Sequence, residues 1–395
     1  MNIDFHHGVI FVLSRLAGFD DVEAGIIADS SQYVDDATDS GTASFATKQL
    51  YHFKSSAHKN LDYRNFKKLQ NHLVWIPFHF LPSNEYDPSC PHVPEFIQRI
   101  TTRPNSHVAA DMMANLCKRL KDDNFLFQLG IALHVYADTW AHQRFCGVNH
   151  KANEVEKILH ASEGHYYHRK RHEYYARHLK HFHRASYWKY SHGPRRKIWD
   201  LILSKIISDA LPLGHGALLS YPDRPYLTFE YIDGYGRKVK RNNTEIFMDA
   251  ARHIWMWLYA IKQGERPEGL GWSPRNFSEN DIPDRLKKDF QLIEENFSSF
   301  TEEDEIKRYE KWTEKIRAGE FSFGAGDIVS HTPEGRGSWV DLALGVSNER
   351  DIDENSFKFD QKFFSSHWKS FRDAMEAHRT SVIHELLPTH GLCIA

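Results

Sequence analysis

His134, Asp138 and His142 recur at four-residue intervals in FLFQLGIALHVYADTWAHQRF, residues 125–145. Their side chains bind metal ions and move protons. Four residues slightly exceed one helical turn, so in a helix the three stack along one stripe. The rest of the segment is apolar nearly all round: Phe125, Leu126, Phe127, Leu129, Ile131, Leu133, Val135, Tyr136 and Trp140. Such a helix belongs in a protein interior. Two imidazoles and a carboxylate buried there need partners, and a metal ion supplies one. The stripe spans about 12 Å at ~1.5 Å rise per residue, whereas a zinc–ligand bond is about 2 Å long. One ion can take His134 with Asp138, or Asp138 with His142, but not all three. The pattern points to more than one ion, with Asp138 as the bridge. Gly130, one turn earlier on the same face, leaves room. The competing reading is a buried His–Asp pair with a spare imidazole.

Other segments carry residues of the same types. The opening IDFHHG holds Asp4, His6 and His7, and SQYVDDA holds Asp35 and Asp36 at the expected end of a second helix. Adjacent carboxylates there oppose the helix dipole, and a bound cation offsets that. His79 lies inside the apolar run WIPFHFLP, where a packed core histidine is the simpler reading. His58 and Asp62 repeat the four-residue interval in polar surroundings and read as a surface pair. His215 sits between two glycines in PLGHGALLSYPDRP, where small neighbours allow close backbone approach, and Asp223 follows in the same loop.

The elements that must position these residues read as mainly helical. His7–Gly18 forms a first helix. Asp20–Asp21 caps a second, running to Asp36 with Ala24, Ile27, Ala28, Ser31 and Val34 on one face. Residues 38–45 read as a loop, 59–72 as a helix, 74–80 as an extended aromatic run and 81–94 as a Pro-rich loop. Ser106 caps a helix over 107–121, and the metal-candidate helix covers 125–145. Helices follow over 151–191 and 197–210. A loop covers 213–225, and Asp233-Gly234 centres a hairpin over 226–241. Asn243 caps a helix to Gln263. Residues 264–280 read as a linker that closes a helical metal-binding domain of residues 1–263. Beyond it, 264–395 reads as an extension: helical over 282–318, Gly-rich over 319–338, and helical again over 361–387. Its Trp339, Phe363, Phe364, Trp368 and Phe371 suit packing, and no chemistry is evident in it.

Composition narrows the class. The 395 residues carry a formal net charge of −3, a balance that disfavours a dedicated duplex-DNA binder. The 26 histidines favour metal chemistry. Cys90, Cys117, Cys146 and Cys393 form no CxxC pair, so ligation rests on His and Asp, which suits zinc, manganese or iron. No Walker loop, Rossmann fingerprint or Ser–His–Asp order competes. The N-terminus lacks a signal-peptide pattern and no run is long enough for a transmembrane helix, so the expectation is cytoplasmic, with signal-independent export compatible. Residues 165–197, dense in Arg, Lys, His, Tyr and Trp, read first as a solvated helix face. They also suit contact with single-stranded nucleic acid or an anionic membrane surface.

The order of these features resembles the zinc-dependent phospholipase C and single-strand nuclease superfamily, over residues 1–225. The features are an N-terminal His, an Asp closing the second helix, His79-Phe80, the HxxxD pair His134/Asp138 and a later Gly-His. The resemblance implies a multi-helix fold with three zinc ions. His7 is then the N-terminal helix ligand, Asp35 or Asp36 the carboxylate that activates water, and His79, His134, Asp138, His142 and His215 further ligands. Family members also use the amino group of the mature N-terminal residue, exposed by signal cleavage; here Asp4 or His6 would substitute. His142 follows Asp138 by four residues where the family has six, and Leu219 replaces the Glu expected four after His215, leaving Asp223 as the nearest carboxylate. The whole chain is similar to bacterial proteins that share DFHHG, SQYVDDA and HVYADTWAHQ, a likeness that names no substrate. The expected function is metal-dependent phosphoric-ester hydrolysis with two or three ions. Phospholipid and single-stranded nucleic acid are both compatible substrates, and a toxin or defence role would follow from attack on either. The ions would polarise phosphoryl oxygens and lower the pKa of water. Neutral imidazoles are needed as ligands, so activity should fall in acid. The alternatives are a non-catalytic helical protein with structural metal or an interaction role, and a metal-dependent oxygenase or HD-type phosphohydrolase.

Overall fold

A π-helical turn, Asp4–Val9, runs directly into α1, Ile10–Ala17, which Gly18 stops with φ of 101°. Only glycine adopts that left-handed conformation without strain. Asp20 then opens α2, Asp21–Asp36, through a reciprocal capping box with Glu23. The computed structural model describes residues 1–58, 68–88, 90–162, 213–263, 281–353 and 355–394. The expected helix 151–191 beyond residue 162, the basic aromatic segment 165–197, the expected helix 197–210, the linker 264–280 and most of 59–72 lie outside the described residues.

The chain continues through β1, Gly41–Phe45, β2, Leu50–Phe53, and α3, Lys68–Phe78. Short α4, Glu95–Ile100, and α5, His107–Leu116, precede the central α6, Phe125–Ala141. Strands β3, Val155–Ala161, β4, Thr228–Asp233, and β5, Lys238–Asn242, form an antiparallel sheet in that order. Then come α7, Asn243–Gln263, α8, Lys287–Ser299, α9, Glu305–Ala318, and α10, Trp339–Leu344. Strand β6, Ser356–Phe357, lies parallel to β1, and α11, Gln361–Phe364, and α12, His367–Ser381, follow. Among the described residues the architecture is mainly helical with two small sheets.

Helix α6 is the axis, buried along nearly its whole length. Helix α2 packs closely on it because Gly130 has no side chain. A Cβ there would meet the Ile27 carbonyl oxygen at 2.4 Å. That approach brings the C-terminal end of α2, with Asp35, over the middle of α6.

Several local expectations are corrected. Residues 74–80 are not an extended run, since all but the last two belong to α3. Their aromatic and β-branched side chains favour strands only weakly, and burial decides instead. Pro77 cannot donate to the Leu73 carbonyl; Arg379 Nε donates to it at 3.0 Å instead, so the helix tolerates the proline. Residues 41–45 are a strand, because β2 and β6 supply ladder partners on both sides. Helix 151–191 does not begin at 151: Lys151–Asn153 is a 3-10 turn and β3 follows, paired to β4. Helix α6 stops at Ala141, where Arg241 donates to the carbonyls of Ala141 and Trp140.

Residues beyond 280, expected as an extension, are built into the same interior. Phe290, Ile293, Phe297, Trp312 and Ile316 share the main core with Phe5, Val9 and Phe247. Glu349, buried, accepts from Tyr33 Oη at 3.1 Å and Trp368 Nε1 at 2.6 Å and pairs with Arg372.

His378 on α12 is buried against Phe78 and donates Nε2–H to the Pro77 carbonyl at 3.0 Å. Burial pushes its pKa from 6.5 down to about 4. The unfolded chain therefore binds a proton between those pH values that the folded chain refuses. Stability should fall as pH drops through that window, by up to about 1.4 kcal/mol per pH unit from this group. Urea denaturation of His378→Phe should show a shallower acid slope than wild type; an identical slope would refute the assignment.

Candidate metal centre

Asp138, on α6, is the hub. It is 1% exposed. Its two oxygens face different neighbours. Oδ1 lies 2.6 Å from the Met1 α-amino nitrogen and 3.2 Å from His6 Nε2. Oδ2 lies 3.3 Å from His79 Nδ1, 3.3 Å from His134 Nε2 and 3.4 Å from His142 Nδ1. Asp35 Oδ1, from the end of α2, stands 3.7 Å from His79 Nδ1 and 3.8 Å from His134 Nε2. A neighbouring group joins His142 Nε2 and His215 Nε2 to the two oxygens of Asp223, each at 3.6 Å. The Met1 amine also lies 3.5 Å from Asp223 Oδ1.

The imidazoles are oriented from behind. His134 Nδ1 donates to Ser31 O at 2.8 Å and His79 Nε2 to Ser56 O at 3.0 Å. His142 Nδ1 donates to His79 O at 2.7 Å and His215 Nδ1 to Leu219 O at 2.8 Å. A carbonyl only accepts, so each bonded nitrogen carries the hydrogen. In a neutral ring the other nitrogen is then a bare lone pair. For His134 and His79 those nitrogens face each other at 3.3 Å. Two lone pairs repel at that distance unless a proton or cation lies between them.

The separations match a metal's demands. Ligand atoms about 2.0–2.1 Å from a tetrahedral zinc lie roughly 3.3 Å apart. The five distances among Asp35, His79, His134 and Asp138 given above run from 3.3 to 3.8 Å. Orphaned atoms point the same way. Neither ring nitrogen of His6 and not Asp223 Oδ1 has an aligned hydrogen bond, although all are buried. The His6 ring stacks on His134 with centroids 3.9 Å apart.

The charges are strongly perturbed. Burial resists ionisation of Asp138, but His142, the Met1 ammonium and His134 outweigh it and hold the carboxyl well below its usual range. Asp223 is likewise depressed against burial, by His215 and the same ammonium. Burial lowers His6 and His79, and takes His215 to about 4, so these rings are neutral near pH 7. His134 is raised despite burial by Asp138 and Asp35, and the Met1 amine reaches about 10 through Asp138 and Asp223. Protons thus supply, between the carboxylates, the positive charge that a cation would bring. Burial also raises Asp35, whose side chain is 34% exposed and gives the cluster its contact with solvent.

Local folding explains the placements. Gly214, at φ 56°, lays its loop flat on Phe80, where a Cβ would meet Cζ at 2.1 Å; this sets the His215 ring 4.6 Å from that of His142. Because α6 ends before His142, that residue leaves the stripe and turns toward Asp223. Ser56 N–H bonds Ala37 O and its hydroxyl bonds Val34 O, so the carbonyl that orients His79 is fixed to the end of α2.

The sequence candidates divide between two places. His6, Asp35, His79, His134, Asp138, His142, His215 and Asp223 come together. His7 and Asp36 do not join them. Successive helical residues point about 100° apart, so His7 and Asp36 face away from their neighbours, toward Asp29, His331 and Tyr309. Asp4 pairs with Arg308 at 2.6 Å instead of entering the cluster. His58 packs edge-on to Trp75 with centroids 6.2 Å apart; Asp62 lies outside the described residues. Sequence reasoning passed over Asp29 and His331, and it gave the place of the N-terminal amine to Asp4 or His6, whereas the Met1 amine itself lies against Asp138. The seven-residue interval from Asp29 to Asp36 was a usable signal, since it places both on one face of α2. Nothing local marks His331.

Fold and cluster together define a mainly helical protein organised around a buried carboxylate–imidazole centre. The chain belongs to a family of unknown function, DUF6765, which matches residues 1–386. Comparison with curated proteins and with solved structures finds no match. Among the described residues no helix is long and apolar enough to cross a membrane.

Proposed function

We propose that this protein is a metal-dependent phosphoric-ester hydrolase, related in fold and site to the zinc-dependent phospholipases C and single-strand nucleases it resembles. The carrying observation is the set of four imidazoles, each pinned through one nitrogen to a backbone carbonyl and presenting the other to the carboxylates. Such outer hydrogen bonds are the usual accompaniment of histidine ligation. Asp35, His79, His134 and Asp138 would hold one ion. His142, His215 and Asp223 would hold a second. His6 and Asp138 Oδ1, with the Met1 amine beside them, would hold a third. In the first two groups, two imidazoles with one or two carboxylates form a donor set suited to zinc, with manganese or iron as alternatives. Bound there, the ions supply Lewis acidity toward phosphoryl oxygens and bring the pKa of water toward neutrality.

The protein's own groups complete the chemistry. Asp35 is the carboxylate open to solvent, which places it to accept a proton from water. Asp36, hydrogen-bonded to His331 and Gln32, is committed elsewhere. His142 stacks on Phe80 with centroids 4.7 Å apart, which holds its ring in place on the apolar side. The substrate class is a phosphodiester, lipid or single-stranded nucleic acid.

Elemental analysis of purified protein tests the reading. Wild type should contain stoichiometric zinc, manganese or iron, and His134→Ala should lose at least part of it. Hydrolysis of bis(p-nitrophenyl) phosphate should be present in wild type and lost in the variant. A phosphatidylcholine analogue set against single-stranded DNA then separates lipase from nuclease. Wild type without metal, or full activity in His134→Ala, would overturn the proposal.

A further inference from the structure

His7, Asp29 and His331 form a second cluster that shares no donor atom with the Asp138 centre. His7 comes from the π turn, Asp29 from α2 and His331 from the loop between α9 and α10. Asp29 Oδ1 lies 3.1 Å from His7 Nε2 and 2.7 Å from His331 Nδ1. The two rings have centroids 5.5 Å apart. His7 is 1% exposed, while the side chains of His331 and Asp29 are 3% and 22% exposed.

We infer that His7 Nε2, Asp29 and His331 Nδ1 form a separate binding site for a single divalent transition-metal ion. Three observations carry this. First, the donor set of two imidazoles and one carboxylate converges on one point, and it suits borderline ions such as zinc or iron(II). Second, both remote ring nitrogens are already held by groups that orient metal-binding histidines. His331 Nε2 faces Asp36 Oδ2 at 2.9 Å, and His7 Nδ1 faces Tyr309 Oη at 3.0 Å. The same hydroxyl accepts the His331 backbone N–H at 3.1 Å, so one group registers both rings. Carboxylate and hydroxyl partners of this kind fix the ring and raise its basicity as a ligand. Third, the charge is unbalanced. Asp29 and Asp36 bring two negative charges, and a protonated His331 returns one. A divalent ion with neutral imidazoles balances both. As the ion enters, the proton now shared by His331 Nδ1 and Asp29 leaves, the His7 hydrogen shifts from Nε2 to Nδ1 where Tyr309 Oη accepts it, and the 2.7 Å separation widens toward ligand spacing.

The site would clamp the 319–338 loop onto the two elements that carry His6 and Asp35. His6 adjoins His7 in sequence, and Asp35 adjoins Asp36, the carboxylate that holds His331 Nε2. Occupancy here would therefore steady the Asp138 centre without taking part in it.

Crystals of the full chain soaked in zinc, with data collected at the zinc edge, test the inference without a variant. An anomalous peak among His7 Nε2, Asp29 and His331 Nδ1 is expected. No peak there, whether or not the Asp138 centre is filled, would overturn it and leave a hydrogen-bonded ion-pair network. In solution, chelator-stripped protein titrated with zinc should bind one ion fewer in His331→Gln than in wild type. In His134→Ala that one site should persist, so failure of either proposal is distinguishable from failure of the other. Tyr309→Phe, which keeps the fold's apolar packing, should weaken the site by about 10-fold or more. Unchanged zinc stoichiometry in His331→Gln and unchanged affinity in Tyr309→Phe would also overturn it.

Discussion

Asp138→Asn is expected to lose bound metal and phosphodiester hydrolysis together, and to be much less stable even without metal. The carboxylate meets the amine and His6 through one oxygen and His79, His134 and His142 through the other. Asparagine keeps the shape and removes the charge. One amide oxygen cannot replace two anionic ones, and an amide NH₂ on the Oδ1 side would point at the Met1 ammonium, itself a donor. In the metal-free protein the Met1 ammonium, buried and raised to about 10, would lose its nearest counter-charge. Removing one partner of a buried ion pair costs about 3–5 kcal/mol. Urea unfolding of chelator-treated wild type and variant measures that term, and elemental analysis measures the metal. A variant within about 1 kcal/mol of wild type would show that Asp138 is not the electrostatic hub described.

Arg308→Met should have an effect of similar size on stability by a different route. Arg308 is fully buried on α9, and its Nε donates to Asp4 Oδ2 at 2.6 Å. Its Nη1 donates to the carbonyl of Glu302 at 2.6 Å. Methionine fills similar volume but strands the Asp4 carboxylate, which has no other charged partner among the described residues. The expected loss is again about 3–5 kcal/mol, with Asp4→Asn/Arg308→Met recovering part of it because no charge is then left alone. The π turn that Asp4 begins carries His6, so the metal affinity of the third group should fall as well. Denaturation of the two single variants and the double variant gives the coupling; a cycle that closes with no coupling energy would refute the pairing.

Much of the secondary structure was legible because it depends on neighbours along the chain. The apolar run around Ile131 and the capping residues Asp20 and Ser106 mark helices through local geometry alone. The strand β1 and the helical end of α3 were not legible. Gly41–Phe45 is a strand because β2 and β6 lie beside it, and Pro77 is tolerated because Arg379, 302 positions later, bonds the Leu73 carbonyl. The last residue of α6 was misplaced for a like reason. Arg241, from a distant strand, takes the carbonyls at its end.

The candidate site divides the same way. Helical periodicity within one element settles that His134 and Asp138 share a stripe, and residue chemistry settles that buried groups of those types need partners. The choice within His6/His7 and within Asp35/Asp36 depended on packing. Adjacent residues on a helix face different directions, and only the neighbouring elements decide which direction holds the cluster. The convergence of His79, His215 and Asp223 on Asp138 is a property of how α2, α3, α6 and the 213–225 loop pack. His331 is the extreme case. An imidazole in a Gly-rich loop has no local signature, and it acquires a role only when the loop is folded against Asp29 and Asp36. Residue types and their periods thus specified the chemistry available, because they are local. The fold selected which of those groups meet, because contact between distant segments is set by close packing, which no single stretch of chain contains.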